Sequence, residues 1–363
     1  MRTTDDKFMR MAIRLAERGV DRPSREPLAG ALVVADGRVV GRGYCREGGP
    51  PAVVAAVDEA GGLARGATVY TNIEPRRDTP NESCVRRLID SRVARIVVGA
   101  RDYNDQSQPA GGGILNQLES IEVETGILEQ ACRALNEKYF KYSATGVPFV
   151  TVKFAQSLDG RIATSTGDSR WISAPPSLQL AHKLRREHDA ILVGIGTVLA
   201  DDPQLTVRLI KGRDPLRVII DSKLRIPLAS RVLAGGAAPR TLVAADVTAD
   251  PNRASKIQEL GAEILRLPAA RNRSGIDISR LLEELGRRGV ASVLVEGGKG
   301  VITSLLAARA VDRLVVVIAP KIIGQGTEAI GDLEITRLSE AITFSSVKIR
   351  RLGPDVIFDG RLK

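Results

Sequence analysis

The stretch Val293-Leu-Val-Glu-Gly-Gly-Lys-Gly-Val-Ile-Thr-Ser-Leu-Leu decides the fold class of the second half of the chain. Three apolar residues, Val293 to Val295, read as a buried strand. Gly297, Gly298 and Gly300 follow, and an apolar helical run begins near Val301. Free backbone N–H groups at a helix start bind phosphate, and glycines let a ligand approach the backbone closely. The plainer alternative is a tight strand-to-helix turn. The spacing is not G-x-G-x-x-G, so a Rossmann dinucleotide fold is not supported.

Two more segments carry the same signature. One is Lys153-Phe-Ala-Gln-Ser-Leu-Asp-Gly-Arg-Ile-Ala, followed by Gly167-Asp-Ser-Arg-Trp-Ile-Ser. The other runs from Leu184-Arg-Arg-Glu-His-Asp-Ala-Ile-Leu-Val-Gly-Ile-Gly-Thr to Asp201-Asp-Pro-Gln-Leu-Thr-Val-Arg. Polar and glycine residues crowd the ends of apolar strands, where open α/β sheets bind ligands. Around them the pattern predicts strands at 149–154, 190–193, 217–221, 240–245, 292–295 and 313–319. Helices are expected at 177–187, 254–260, 278–288 and 301–308.

The first half alternates in the same way. A helical stripe (Phe8, Met11, Ala12, Leu15, Ala16) precedes two strands around Asp36-Gly37, a hairpin signal. Helices are predicted over 53–60, 83–91 and 128–142, with strands at 67–72, 94–100 and 121–124. Alternation of this kind makes a three-layer α/β/α domain. Ser143-Ala-Thr-Gly-Val-Pro holds the boundary, giving domains 1–145 and 146–363.

Composition narrows the function classes. The chain has 363 residues, 43% hydrophobic and 26% charged, which excludes disorder and collagen-like structure. No apolar run reaches the roughly 18 residues of a membrane span. The N-terminus lacks a signal core, so a cytoplasmic location is expected. Lys and Arg number 53 against 43 Asp and Glu, a formal +10. That charge suits phosphorylated metabolites as well as nucleic acid. With 3% aromatics and scattered basic residues, no nucleic-acid platform is expected. Three widely spaced cysteines form neither a disulfide framework nor a C-x-x-C site. The two histidines, His182 and His188, lack the i, i+4 spacing of a metal pair, so solvent-facing or structural roles are expected.

Taken together, the motifs from Lys153 to Ser304 resemble the reductase domain of the bifunctional riboflavin-biosynthesis deaminase/reductase (RibD/RibG) family. The resemblance implies a C-terminal dihydrofolate-reductase-like α/β domain. It further implies NADPH-dependent reduction of the ribosyl side chain of 5-amino-6-(5-phosphoribosylamino)uracil to the ribitylamino product. It gives Ala155, Trp171, Thr197 and Asp201 to the cofactor, with Gly297, Gly298, Lys299, Gly300, Val301, Ile302, Thr303 and Ser304 under its phosphates. Ser169, Arg185, Leu205, Arg208 and Glu296 would touch substrate. Arg185 and Arg208 suit the ribose phosphate as permanently charged planar donors. Lys153, Asp201 and Glu296 are candidates for guiding the open sugar and its protons. The alternative for Lys153 and Asp201 is a structural ion pair.

Asp6-Lys-Phe-Met-Arg-Met-Ala, Leu28-Ala-Gly-Ala-Leu-Val-Val, Gly41-Arg-Gly-Tyr and Ala67-Thr-Val-Tyr-Thr-Asn-Ile-Glu-Pro resemble the same family's N-terminal cytidine-deaminase-like domain. Such deaminases hold Zn²⁺ with one His and two Cys, and a glutamate shuttles protons. The expected His-Ala-Glu stands here as Pro51-Ala52-Val53, and the expected first cysteine as Arg76. Only Cys84 remains. Neither zinc nor deaminase activity is expected, and a separate pyrimidine deaminase becomes a required pathway partner. A structural or oligomer-supporting role, in a dimer or larger assembly, is the plain expectation for this domain. An anion site at Arg76 and Arg77 is the sharper one. Alternative functions are reduction of the undeaminated diaminopyrimidinone, reduction of a related specialised metabolite, and non-catalytic partnership with an active deaminase.

Overall fold

The computed structural model describes the chain apart from residues 1–3, 76–83, 103–114, 116, 117, 119, 171, 235, 238, 239 and 271–274. The expectations placed on Arg76, Arg77 and Trp171 therefore lie outside the described residues. Two compact units divide the chain at Thr145 and Gly146.

The first unit contains α1 (Thr4–Ala16), β1 (Gly30–Ala35), β2 (Arg38–Tyr44), α2 (Ala52–Ala60) and β3 (Thr68–Ile73). It continues with α3 (Cys84–Asp90), β4 (Arg95–Ala100), β5 (Glu122–Thr125), α4 (Glu129–Leu135) and α5 (Glu137–Thr145). Its sheet runs β2-β1-β3-β4-β5, antiparallel about β1 and parallel from β3 to β5. Asp36 and Gly37 both take positive φ, 49° and 72°, as a type I′ hairpin turn requires. Apolar clusters cover both faces: Val53, Val57 and Leu88 on one, Phe8, Leu15 and Cys132 on the other. The helix predicted over 128–142 is broken at Asn136. That side chain instead binds the Leu28 backbone, accepting its N–H at 2.7 Å and donating to its carbonyl at 3.1 Å.

The second unit contains β6 (Phe149–Gln156), β7 (Arg161–Thr164), α6 (Pro175–Arg186), β8 (Ala190–Gly194), α7 (Ile195–Asp201), β9 (Leu216–Ile220), β10 (Thr241–Asp246) and α8 (Pro251–Glu259). Then come β11 (Glu263–Leu267), α9 (Ile278–Arg287), β12 (Ser292–Val295), α10 (Lys299–Ala307), β13 (Arg313–Ile318), β14 (Gly326–Glu328), β15 (Phe344–Leu352) and β16 (Asp355–Leu362). Nine strands form one sheet, β11-β10-β9-β8-β12-β6-β13-β16-β15, and β14 pairs with β7 apart from it. Neighbours from β11 to β13 are parallel, and β16 and β15 close the edge antiparallel.

Alternation along β6 explains how the sheet is covered. Val150, Val152 and Phe154 pack with Leu281, Leu285, Ile302 and Leu305 of α9 and α10. The opposite face carries Thr151, Lys153 and Ala155. Thr151 Oγ1 lies 2.9 Å from His188 Nε2, just beyond the end of α6, so this face looks toward α6. Lys153 is thus the one charged residue of this central strand, toward its carboxyl end.

Candidate active site

A cleft of about 1680 Å³ opens outside the carboxyl ends of β6, β8, β9, β10 and β12. Parallel strands deliver their following loops to that edge, so one sheet gathers residues that are far apart in sequence. Lys153, Ala155, Ser169, Arg185, Thr197, Asp201, Arg208, Glu296, Gly297, Gly298, Lys299, Gly300, Val301 and Ser304 all line it. Three expected residues do not. Ile302 is fully buried among the α10 core contacts, because it faces the sheet one turn into the helix. Leu205 is buried against Val193 and Ile219. Thr303 turns away: its hydroxyl donates to the Lys299 carbonyl and accepts the Gly331 N–H, each at 2.7 Å.

Two helix starts stand side by side at the cleft. Gly194 and Gly298 occupy the N-cap positions of α7 and α10, and neither start has a side-chain cap. Their first-turn N–H groups are left for something else to satisfy. A Cβ built on Gly194 would lie 2.8 Å from Val301 Cγ2, and one on Gly297 3.0 Å from Val301 Cβ. These glycines let the strands and α10 approach closely, whereas Gly196 and Gly300 face open space. Lys299 is tied to Glu328 of β14 at 3.5 Å.

The chemical centre is a charged cluster between β6, α6 and the end of β12. Arg185 grips Glu296 with both arms, Nε to Oε1 at 3.0 Å and Nη2 to Oε2 at 2.6 Å. Its Nη1 donates to the Thr206 carbonyl at 3.1 Å. The pair is largely buried, at 11% and 13% side-chain exposure. Burial alone would raise the Glu296 carboxyl. Arg185, backed by Lys153, outweighs it and holds the group below the usual carboxylate range. The Lys153 ammonium is moved down by burial, with Arg185 adding to the fall and Glu296 opposing it. No Lys153–Asp201 ion pair occurs among the described residues. Asp201, exposed at the end of α7, instead accepts from Ser169 Oγ at 3.5 Å. Asp202 takes a left-handed conformation (φ 40°) before Pro203 and accepts the Arg231 N–H at 2.8 Å, the turn its sequence suggests.

Neither histidine faces solvent. His188 is structural, bonded to Thr151 and to the Leu184 carbonyl. His182 is buried yet lines the cleft, and its Nδ1 accepts the Arg208 N–H at 3.1 Å. Burial, then the Arg185 and Arg208 cations, push its pKa down to about 4. Sequence reasoning also misses Ser222, Lys223, Arg225, Asp246 and Thr248 on the cleft wall. They stand at or just after the ends of β9 and β10 as Gly194 stands at the end of β8, and that placement at the ends of consecutive parallel strands is the signal that could have found them.

Comparison with known proteins agrees with this architecture. The RibD C-terminal domain family matches residues 148–358, and the cytidine and deoxycytidylate deaminase zinc-binding region matches residues 2–100. The chain belongs to the RibD family. The riboflavin biosynthesis protein RibD of Aquifex aeolicus is 38% identical over 98% of both chains. The Escherichia coli RibD is 34% identical, covering 97% of this chain and 98% of its own. Among solved structures, a Thermotoga maritima diaminohydroxyphosphoribosylaminopyrimidine deaminase/5-amino-6-(5-phosphoribosylamino)uracil reductase superposes with a TM-score of 0.82, 31% identity and 99% coverage of each chain. This RibD-family chain is accordingly a riboflavin-biosynthesis protein with a reductase domain. Among its described residues no helix is long and apolar enough to cross a membrane.

Proposed function

We propose that the chain is an NADPH-dependent reductase of the ribosyl side chain of 5-amino-6-(5-phosphoribosylamino)uracil, without deaminase activity. The observation that carries the reductase half is the meeting of Lys153, the Arg185–Glu296 pair and two uncapped helix starts in one cleft. The cleft fits a dinucleotide: neither helix start carries a side-chain cap, and Gly196 and Gly300 in the first turns of α7 and α10 face open space, leaving room for a diphosphate near their N–H groups. When bound there, NADPH supplies the hydride. The wall after β9 and β10 offers Ser222, Lys223 and Arg225 to its remaining polar groups.

Reduction of the open-sugar C=N bond adds a hydride to carbon and a proton to nitrogen. Lys153 holds a proton at Nζ beside that position, and its lowered pKa makes the ammonium a readier donor. Glu296 stays ionised and keeps a negative charge next to the lysine. Arg208 has no side-chain hydrogen bond or ion pair to the described residues, and its exposed guanidinium is the free ligand for the substrate phosphate.

The deaminase half does not fit zinc. Pro51, which has no donor atom, precedes α2 at the histidine position. Val53, at the proton-shuttling position, is buried in one apolar cluster with Cys84, Ala56 and Leu88. On this reading Val53 supplies hydrocarbon at the position where the family resemblance puts the base, and deamination is left to a separate enzyme.

NADPH oxidation at 340 nm with the phosphoribosylamino uracil tests the reductase half. Lys153→Met is expected to lower kcat by about 100-fold or more while retaining NADPH binding. Wild-type turnover in that variant would remove Lys153 from the chemistry.

A further inference from the structure

We infer that His182 is a positioning residue: its imidazole fixes the backbone of Arg208 and thereby sets where the phosphate-binding guanidinium stands. The inference rests on the reductase reading above and concerns how that site is held in shape.

The segment 205–208 has no regular secondary structure, yet each of its four residues is anchored. Leu205, at φ 55°, buries its side chain in the core. The Thr206 carbonyl accepts from Arg185 Nη1 at 3.1 Å. The Val207 N–H donates to Asp214 Oδ1 at 2.7 Å. The Arg208 N–H donates to His182 Nδ1 at 3.1 Å. Two of these anchors, His182 and Arg185, sit at i and i+3 on α6, which places them one above the other on one face. The helix thus grips the segment twice, and what the grip presents to the cleft is the Arg208 side chain.

The residue type fits the task. The bonded Nδ1 must carry a lone pair, so the imidazole is neutral with its proton on Nε2. Lysine or arginine there could not accept the N–H. A carboxylate would compete for Arg185 and disturb its grip on Glu296. Imidazole is a neutral acceptor of the right length, and burial, with Arg185, Arg208 and Lys153 around it, keeps it from gaining a proton.

Three variants test the role. In His182→Asn the amide oxygen replaces Nδ1, in His182→Gln the amide lies nearer the Nε2 position, and in His182→Leu the acceptor is lost. His182→Leu is expected to raise KM for the phosphorylated substrate about tenfold with kcat changed less than about twofold, and His182→Asn to stay near wild type. In an Arg208→Ala background, His182→Leu should add no more than about a twofold change, because the two act through one contact. A wild-type KM in folded His182→Leu, or effects of His182→Leu and Arg208→Ala that multiply, would overturn the inference. If His182→Leu does not fold, His182→Asn and His182→Gln decide: retention in the first with loss in the second supports the role, and equal behaviour refutes it. Wild-type turnover is a separate control on the reductase reading. If it is absent, binding of ribose 5-phosphate to the same variants, measured by calorimetry, tests His182 directly. Weaker binding to His182→Leu and to Arg208→Ala supports the role, and unchanged binding to His182→Leu refutes it.

Discussion

Arg185 and Arg208 are guanidiniums on one cleft whose surroundings give them different work. Arg185 uses Nε, Nη1 and Nη2 on Glu296 and Thr206, so its first duty is to hold a buried carboxylate ionised. Arg185→Ala would leave Glu296 buried without its partner, a loss of roughly 3–5 kcal/mol. It should therefore unfold at lower denaturant and lose kcat. Arg208→Ala should melt like wild type and raise KM for substrate by about tenfold. Urea titration and steady-state kinetics on both variants separate the two, and identical profiles would refute the division. His182 gives a pH prediction. Its pKa is near 4 when folded and near 6.5 when unfolded. Between those values the unfolded chain binds more protons, so this contribution is complete above about pH 6.5 and falls away toward pH 4. His182→Asn keeps the acceptor but cannot titrate. The melting-temperature gap between wild type and this variant should therefore shift against wild type as pH drops from 7 to 5. A constant gap would contradict the assignment. Of this site, Lys153, Glu296 and the glycines were legible because each stands in or directly after an apolar strand in the sequence. His182 was not, since its partner is a backbone N–H brought to it by the fold; its spacing to Arg185, rather than to His188, is the informative one.

Elements were legible where apolar period and turn chemistry agreed. Asp36-Gly37 marks its hairpin because both positions need positive φ. The strand-glycine-helix pattern at β12 and α10 was equally plain. β15 gave no such signal, since its mostly exposed Phe-Ser-Ser-Val-Lys-Ile-Arg-Arg-Leu has no buried face to alternate against. Its turn is marked only by Gly353 (φ 62°) before Pro354, which suits the first central position of a type II′ turn. The break at Asn136 was hidden because the Leu28 backbone that captures it is distant in sequence. The packing of α2 on β2 depends on glycine in another way. A Cβ on Gly43 would stand 2.0 Å from the Ala52 carbonyl oxygen, and one on Gly41 2.1 Å from that of Ala56. Gly43→Ala must push the helix off the strand, with an expected loss of about 1–3 kcal/mol. A melt followed by circular dichroism checks this, and an unchanged melting temperature would show that the helix shifts freely.

At the scale of the whole molecule, one chain joins a cytidine-deaminase-like domain and a reductase domain. The two compact units divide at Thr145 and Gly146, within the connection Ser143-Ala-Thr-Gly-Val-Pro. The reductase cleft retains its charged centre and glycine-lined helix starts. In the deaminase-like unit Pro51 stands at the start of α2 and Val53 is buried in an apolar cluster, the two positions on which the proposed loss of deamination rests. On the proposed reading, this protein reduces what another enzyme has deaminated. The most direct test follows NADPH absorbance at 340 nm with the purified protein, offered either the diaminopyrimidinone ribosylamino phosphate or its deaminated uracil. Each substrate is run with and without an added active deaminase. Oxidation with the uracil alone, and with the diamine only when the deaminase is present, is the expected result. Oxidation of NADPH with the diamine alone, accompanied by ammonia release, would contradict it.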